Sequence, residues 1–462
     1  MASLLSILNA GNAALRTAQT GVRNAGDNIA NASTPGYHRR ELVQGSGSTY
    51  RVGNLSFTSG VQVDELRRAT TGSLERRARD SGSSFQASDA RANILGRASA
   101  IFEEFDGVGL GSRLDELFAS FDNLSAAPQD RAARTRVLAA ADGFASTMRG
   151  YAGQLANLQT DLNEDVAVGV QAMNRITREL AQLNVEVTRT QPPSPDLLDR
   201  QAALLDELAG TASVRVIHQG NGSVEVLLAG TGSSLVSKDF AATLSARADA
   251  SGLLRVELTE AGAPRDVSGQ LGAGTLGGVL RARDVDLAAV SGELDAFASR
   301  VAEAFNTAHA AGYGTDGATA RNLFAPPSGA GAARDLSVDP AVAGNPNAVA
   351  AALDPTRLPG DNNNALQLAS LRDQLMSDGQ RPGDALRSVL TGLSDRTSSA
   401  QLSAQASQDA MNTTRSLRDQ TVGVSTDEEM TNLMRYRQAY SAAAQVIRTA
   451  DELVQEVLTI KR

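Results

Sequence analysis

At both ends of this 462-residue chain, apolar positions step alternately four and three residues apart. Near the start the series runs Leu4, Leu8, Gly11, Leu15, Ala18, Val22, Ala25, Ile29. Near the finish it runs Leu433, Tyr436, Tyr440, Ala443, Ile447, Ala450, Val454, Val457. That spacing keeps one stripe on one side of a helix and predicts two long heptad helices. Many stripe residues are Ala or Gly, which let backbones approach closely but bury little apolar area. At about 25 cal/mol per Å² such a pair barely offsets its ordering entropy, so the seams are expected to pack on each other and on further copies. The expected assembly contacts are the larger residues: Leu4, Leu8, Leu15, Val22 and Ile29 at one end, Leu433, Tyr436, Tyr440, Ile447, Val454 and Val457 at the other.

The first helix stops hard in "NIANASTPGYHRRE", Asn28 to Glu41. Pro35-Gly36 breaks the helix and pushes Thr34 towards an extended backbone. The expectation is a hinge that sends the chain outward into strands from Tyr37. The last helix starts in "GVSTDEEM", where Thr426 and Glu429 fit a capping box and Asp427 and Glu428 face the positive end of the helix dipole. Three neighbouring acids could also hold a metal, but adjacent acids in a first turn are far more often capping.

Between the ends, "YHRRELVQ" and "SGVQVDELRR" alternate as short strands joined by the Gly/Ser-rich "GSGSTYRVGNLS". Helical patterning then runs from about Thr70 to Gly210. Within it Leu155, Leu158, Leu162, Val166, Val170, Met173, Ile176, Leu180, Leu183 and Val187 mark one helix of about ten turns. From Thr211 the pattern switches to strands, first around the Gly-Asn-Gly turn of "HQGNGSVEV". Helices resume at Leu276, and a loop-rich stretch over 313–364 precedes two more helical segments. The predicted class is mainly α: long terminal helices of bundle or coiled-coil type, a helical core domain and a small inserted β domain. The expected division is 1–35 with 425–462 as an inner assembly layer, 36–210 with 276–424 as a discontinuous helical domain carrying short strands, and 211–275 as the β insertion.

The composition narrows the function. A net charge of −9 with no basic run speaks against nucleic acid. There is no cysteine, hence no disulfide framework, thiolate nucleophile or Cys-ligated zinc. No segment approaches the length that spans a bilayer, and "MASLLSILNAGNAALR" lacks the basic start of a cleaved signal peptide. His38, His218 and His309 sit in separate segments without a second ligand one turn away, so neither a metal site nor a catalytic residue is expected. "GAGTLG", Gly272 to Gly277, satisfies the dinucleotide-binding pattern literally, but no buried strand precedes it and no βαβ alternation surrounds it. The chain is read as a non-enzyme without cofactor.

"NIANASTPGY" with its preceding seam resembles the N-terminal motif of the bacterial flagellar axial proteins of the rod, hook and hook-associated group. "GVSTDEEMTNLMRYRQAYSAAAQVIRTADELVQEVL" resembles that group's C-terminal motif. The internal segments "LSAAPQDRAARTRVLAAADGFAS", "DLLDRQAALLDELAG", "LGGVLRARD", "VAEAFNTAHAAGYGTDG" and "NLF" are similar to the hook-associated protein 1 branch, the hook–filament junction family. The resemblance implies paired terminal helices innermost, a helical domain next and a β domain outside. It implies a ring at the junction and export to the bacterial flagellum by the type III apparatus, without a cleaved signal peptide. Implied partners are hook protein, hook-associated protein 3, neighbouring copies of the chain, and an export chaperone at the C-terminal segment; no nucleic acid or membrane insertion is implied. By motif, Asn28, Asn31, Thr34, Pro35, Gly36 and Tyr37 belong to the axial turn, and Asp427, Glu428, Glu429, Tyr436 and Tyr440 to the C-terminal signature. The variable outer region looks reduced, so the extra outer domain of some members is expected to be missing. Another axial component, a hook or rod protein, shares both end motifs, and an unrelated cytoplasmic coiled-coil scaffold is the reading from outside the family.

Overall fold

A computed structural model describes residues 2–460 except Pro35, 53–54, 103–108, Gln191, Ala261 and Ser328. The two heptad segments are α1 (Ala2–Ala30) and α11 (Thr426–Ile460), packed antiparallel on each other. Gly11 faces Ile447, Gly21 faces Tyr436, and Asn28 meets Glu429. After α1 the chain forms a ribbon in which β1 (Arg40–Ser46) pairs antiparallel with β4 (Val61–Arg68). The Gly/Ser-rich joint between them, read from sequence as a loop, is itself a hairpin of β2 (Thr49–Val52) and β3 (Leu55–Thr58).

Four helices follow: α2 (Gly72–Ile101), α3 (Leu110–Ala126), α4 (Arg131–Arg189) and α5 (Pro195–Thr211). At 59 residues α4 is about 90 Å long and far exceeds the expected ten turns. Pro128 stops α3 from running on, and the Asp130 carboxylate accepts the Ala132 N–H at 2.9 Å, which caps the new helix. The fully buried Arg134 then donates to the carbonyls of Pro128 and Val349, clipping a distant loop to the helix start. Phe118, Phe121, Phe144, Phe305 and Phe324 form the aromatic centre of the core at this end, with ring centroids 5.5–6.2 Å apart.

The β region has two antiparallel sheets. One has the order β5 (Val214–His218), β6 (Val224–Leu228), β7 (Ser234–Ser237), β8 (Phe240–Ala241). The other places β10 (Leu254–Glu260) between β9 (Thr243–Ala248) and β11 (Ala263–Asp266). Val224, Val226 and Leu228 from one sheet and Leu244, Val256 and Leu258 from the other join the core that α4 builds. Three asparagines about three turns apart on α4 bind strand backbone. Asn174 takes both the N–H and the carbonyl of Leu244, Asn184 does the same to Val224, and Asn163 accepts from Leu254 while donating to Gly252. Each amide acts as a strand neighbour would, so backbone groups facing the helix are not buried unpaired.

A short α6 (Gly274–Arg281) passes through a π-helical turn at Ala282–Leu287 into α7 (Ala288–Ala311). The glycines of "GAGTLGG" are explained here. Gly274 has φ +74°, and a Cβ on Gly278 would stand 2.3 Å from the Ala87 carbonyl of α2. They let α6 press on its neighbours; the dinucleotide context is absent. The loop that follows carries α8 (Ala332–Asp335) and is held by His309, whose Nδ1 donates to the Arg321 carbonyl while Nε2 accepts the Ala350 N–H. After α9 (Asn363–Ser370), α10 (Pro382–Val422) runs antiparallel to α2, with Thr397 opposite Leu95 and Ser407 opposite Ser88.

Candidate assembly interface

The α1–α11 seam is centred on small residues. Ala18, Ala25, Ala443 and Ala450 are buried, and Gly11 and Gly21 leave room for larger partners. A Cβ on Gly21 would lie 2.5 Å from the Tyr436 ring, and one on Gly11 would lie 2.8 Å from Ile447. The larger heptad residues sit on the flanks. Leu8, Leu15, Val22, Ile29, Leu433, Tyr436, Ile447 and Val454 are half-buried, and Tyr440 and Val457 are exposed. Leu4 lies in the α1 helix, but its side chain is outside the described residues. Close backbone approach thus consumes the small residues and leaves the bulky ones partly open. Leu5, Ile7, Val446 and Leu453, which the heptad reading passed over, add exposed apolar surface where the N-terminal end of α1 meets the C-terminal end of α11.

The axial turn is organised by Asn28, which is fully buried. Its Nδ2 donates to the Arg40 carbonyl and to Glu429 Oε2, both at 3.0 Å, while Oδ1 accepts the Tyr37 hydroxyl at 2.7 Å and the Arg40 N–H at 3.0 Å. All four hydrogen-bonding positions of the amide are used. Asn24, one turn earlier, also donates to the Arg40 carbonyl. Asn31 donates to the Asp27 carbonyl and accepts from Thr34, which winds the chain off the helix end. Gly36 has φ +80°, a conformation that glycine adopts without strain, and Pro35 lies outside the described residues. The hinge expectation is corrected in one respect. The strands do not lead outward but return along α1: Thr17 donates to the Val61 carbonyl, and Gly60 lies against the Ala10 backbone. The two asparagines, spaced one turn apart, hold the first residue of β1 to the helix it has just left.

The capping box is also corrected. Ser425 Oγ, and not Thr426, accepts from the first turn of α11, at the Glu428 N–H. Glu429 is only 3% exposed; its Oε2 accepts from Asn28 across the seam while its Oε1 accepts from Asn432 one turn on in α11. Glu428 pairs with Arg39 of the returning chain at 3.0 Å. Two of the acids of "DEE", Glu428 and Glu429, therefore join the two chain ends as well as lying in the first turn that faces the helix dipole.

A second tie fixes the turn to the helices outside it. His38 is 8% exposed; its Nδ1 lies 2.9 Å from Asp199 of α5 and its Nε2 lies 3.2 Å from Glu75 of α2. Arg68 of β4 reaches Asp199 at 3.2 Å and the Leu198 carbonyl at 2.6 Å, and Arg40 reaches Asp196. Burial pushes the His38 imidazole down, but the two carboxylates outweigh it and lift the pKa to about 9. Burial likewise pushes Glu75 up, and the hydrogen bond and charge of His38 bring it below the usual carboxylate range. The site is thus a charged imidazolium between two carboxylates, a joint between inner pair and outer helices. Sequence spacing could not reveal it, because its members come from three separate segments.

Among the described residues, no group of three or more His, Asp or Glu is placed to hold a metal ion, and no helix is long and apolar enough to cross a membrane.

Residues 95–324 match the family model of the flagellar hook-associated protein FlgK helical domain, and residues 405–460 match that of the flagellar basal body rod FlgEFG protein C-terminal region. The chain is 24% identical to flagellar hook-associated protein 1 of Bacillus subtilis, over 99% of this chain and 98% of the relative. It is 27% identical to the protein of that name from Escherichia coli over 69% of this chain; the match spans 60% of that relative's length. The solved structure of the flagellar hook junction protein FlgK from Burkholderia pseudomallei superimposes with a TM-score of 0.66 at 16% identity. It covers 76% of this chain and 100% of that one, a likeness of fold.

Proposed function

This chain belongs to the flagellar hook-associated protein 1 family, and from that premise we propose that it is a structural junction between flagellar hook and filament. The role is mechanical rather than catalytic. The observation that carries it is the α1–α11 pair, closed by Asn28 and Glu429 and edged by unsatisfied apolar residues from Leu5 to Val457. Residues 1–35 and 425–462 form the inner layer in this reading, 36–210 and 276–424 the helical domain, and 211–275 the outer β part. The heptad residues Leu8, Leu15, Val22, Ile29, Tyr440 and Val457 supply contacts between copies in a ring. Hook protein lies on the cell side and hook-associated protein 3 on the far side, with an export chaperone holding the C-terminal segment before secretion.

A hook or rod component is the second reading, favoured by the match of residues 405–460 to the rod-type C-terminal model. The match of residues 95–324 to the FlgK helical domain weighs against it. Deleting the gene in the native bacterium tests the choice. Intact hooks that shed flagellin into the medium are expected; loss of the hooks would overturn the junction role.

A further inference from the structure

Where the axial turn meets α2, α5 and the end of α10 lies a cleft of about 450 Å³. The α2 wall carries Arg79 and Ser83, one turn apart, and the α10 wall carries Arg415 and Arg418. The Arg79 side chain is only 8% exposed, yet its ion-pair partner Asp206 stands 3.8 Å away, beyond hydrogen-bond reach. Ser83 is 5% exposed, and its hydroxyl has no hydrogen-bond partner. Arg418 shares Asp419, whereas Arg415 has no ion-pair partner among the described residues. Buried donors left unspent are costly, and a carboxylate entering the cleft would take up both Arg79 and Ser83. Met411 and Val422 give the same cleft an apolar wall.

The chain itself carries a surface of matching chemistry. On α4, Asp161, Glu164, Asp165 and Val168 occupy one helical face at i, i+3, i+4 and i+7. The three acids are exposed and have no ion-pair partner among the described residues, and Val168 is 57% exposed. A long helix holds the four in a fixed arrangement, so little ordering is needed on contact. We propose that the Arg79–Arg415–Arg418 cleft receives the Asp161–Val168 face of α4 from a second copy of this chain. The contact is head to tail: each copy offers both a cleft and an acidic face, so repetition closes a ring or continues a helix. The inference rests on the reading of the chain as a self-assembling junction component and names a contact outside the terminal helices.

The absence of cysteine allows a direct test. A chain with Arg415→Cys and Asp165→Cys, supporting filaments in a deletion strain, is oxidised in isolated hook–filament preparations. A disulfide needs Cα atoms within about 7 Å. The expected result is a ladder of cross-linked dimers and higher multimers, absent from either single variant. Arg415→Glu with Arg418→Glu should lower filament retention at least tenfold, and adding Asp161→Arg, Glu164→Arg and Asp165→Arg should restore it. Filament-bearing cells without a ladder would overturn the contact and leave the junction role standing. A wild-type chain that fails to restore filaments would sink the junction role instead. Thermal stabilisation by inorganic phosphate, lost in Arg79→Gln and accompanied by no ladder, would assign the cleft to a free anion and also overturn the proposal.

Discussion

Asn28 and Glu429 lie 401 residues apart in sequence and share a buried hydrogen bond of 3.0 Å. This bond joins the first helix to the last, and the same amide fastens Tyr37 and Arg40 to the turn between. The point where α1 ends is therefore also the point where the two chain ends are locked together.

Replacing Asn28 by alanine leaves the Arg40 backbone, the Tyr37 hydroxyl and Glu429 without their partner. The expected cost is about 1–3 kcal/mol, felt in the terminal pair. Asn28→Asp should cost more, because it sets a second carboxylate against Glu429. Amide exchange in α1 and α11 should rise for both variants while α4 is unchanged. Glu428→Ala is the comparator: the Glu428 side chain is 65% exposed and its partner Arg39 keeps Glu41 as a second carboxylate, so it should cost less than about 1 kcal/mol. Equal exchange in Asn28→Ala and Glu428→Ala would contradict the assignment.

Two glycines of α1 should respond with opposite sign. Gly26 has open space around it, so Gly26→Ala should stabilise the helix by about 0.5–1 kcal/mol. At Gly21 the added Cβ would meet the Tyr436 ring, and overpacking of about 1–3 kcal/mol should exceed the propensity gain. Limited proteolysis of the chain ends reads both: slower cleavage for the first, faster for the second.

His38 predicts a loss of stability in alkali. Its folded pKa of about 9 lies above the unfolded value near 6.5, so its contribution is complete below about pH 6.5 and disappears as pH rises through 9. Glu75, held below its ordinary value, contributes above its unfolded pKa and loses that contribution as pH falls through its lowered folded pKa. Urea unfolding of wild type and His38→Gln should differ most near pH 6 and converge above pH 9. A difference independent of pH would show that the imidazolium is not what holds the turn.

Asn184 is the most heavily used of the α4 asparagines, bound to both backbone groups of Val224 and to the Lys238 carbonyl. Asn184→Leu keeps the volume but strands those groups, and about 1–3 kcal/mol of stability should be lost. Exchange protection should fall first in β6 and β7. Asn163→Leu should instead loosen the β9–β10 turn, where its partners Gly252 and Leu254 lie. Loss spread evenly over both sheets in each variant would argue against separate anchors.

Local chemistry made a good part of this legible. The heptad stripes, the stop of α1 within the Asn28–Glu41 stretch and the β5–β6 turn rest on periodicity and residue preference within a few neighbours; the helix ends at Ala30, a little ahead of the Pro35-Gly36 breaker. The length of α4 was hidden because Gly143, Gly150 and Gly153 break the helical pattern in the turns ahead of its Leu155–Val187 stripe. Glycines of this kind cost about 1 kcal/mol each in a helix, and here packing on several sides carries the helix through them. Glu429 shows the other limit. Its spacing from Thr426 satisfies a capping box, but a capping acid and a tertiary acceptor are the same residue type, and only the approach of Asn28 decides between them.

The sequence by itself determined where helices run, where they break and how thinly their seams are padded, since those follow from forces between near neighbours. Only the tertiary structure decided that the strands fold back along α1, that α4 carries the sheets on its asparagines, and that the chain ends meet at Asn28 and Glu429. The reason is that a buried donor must find an acceptor, and local spacing does not name which one hundreds of residues away will arrive.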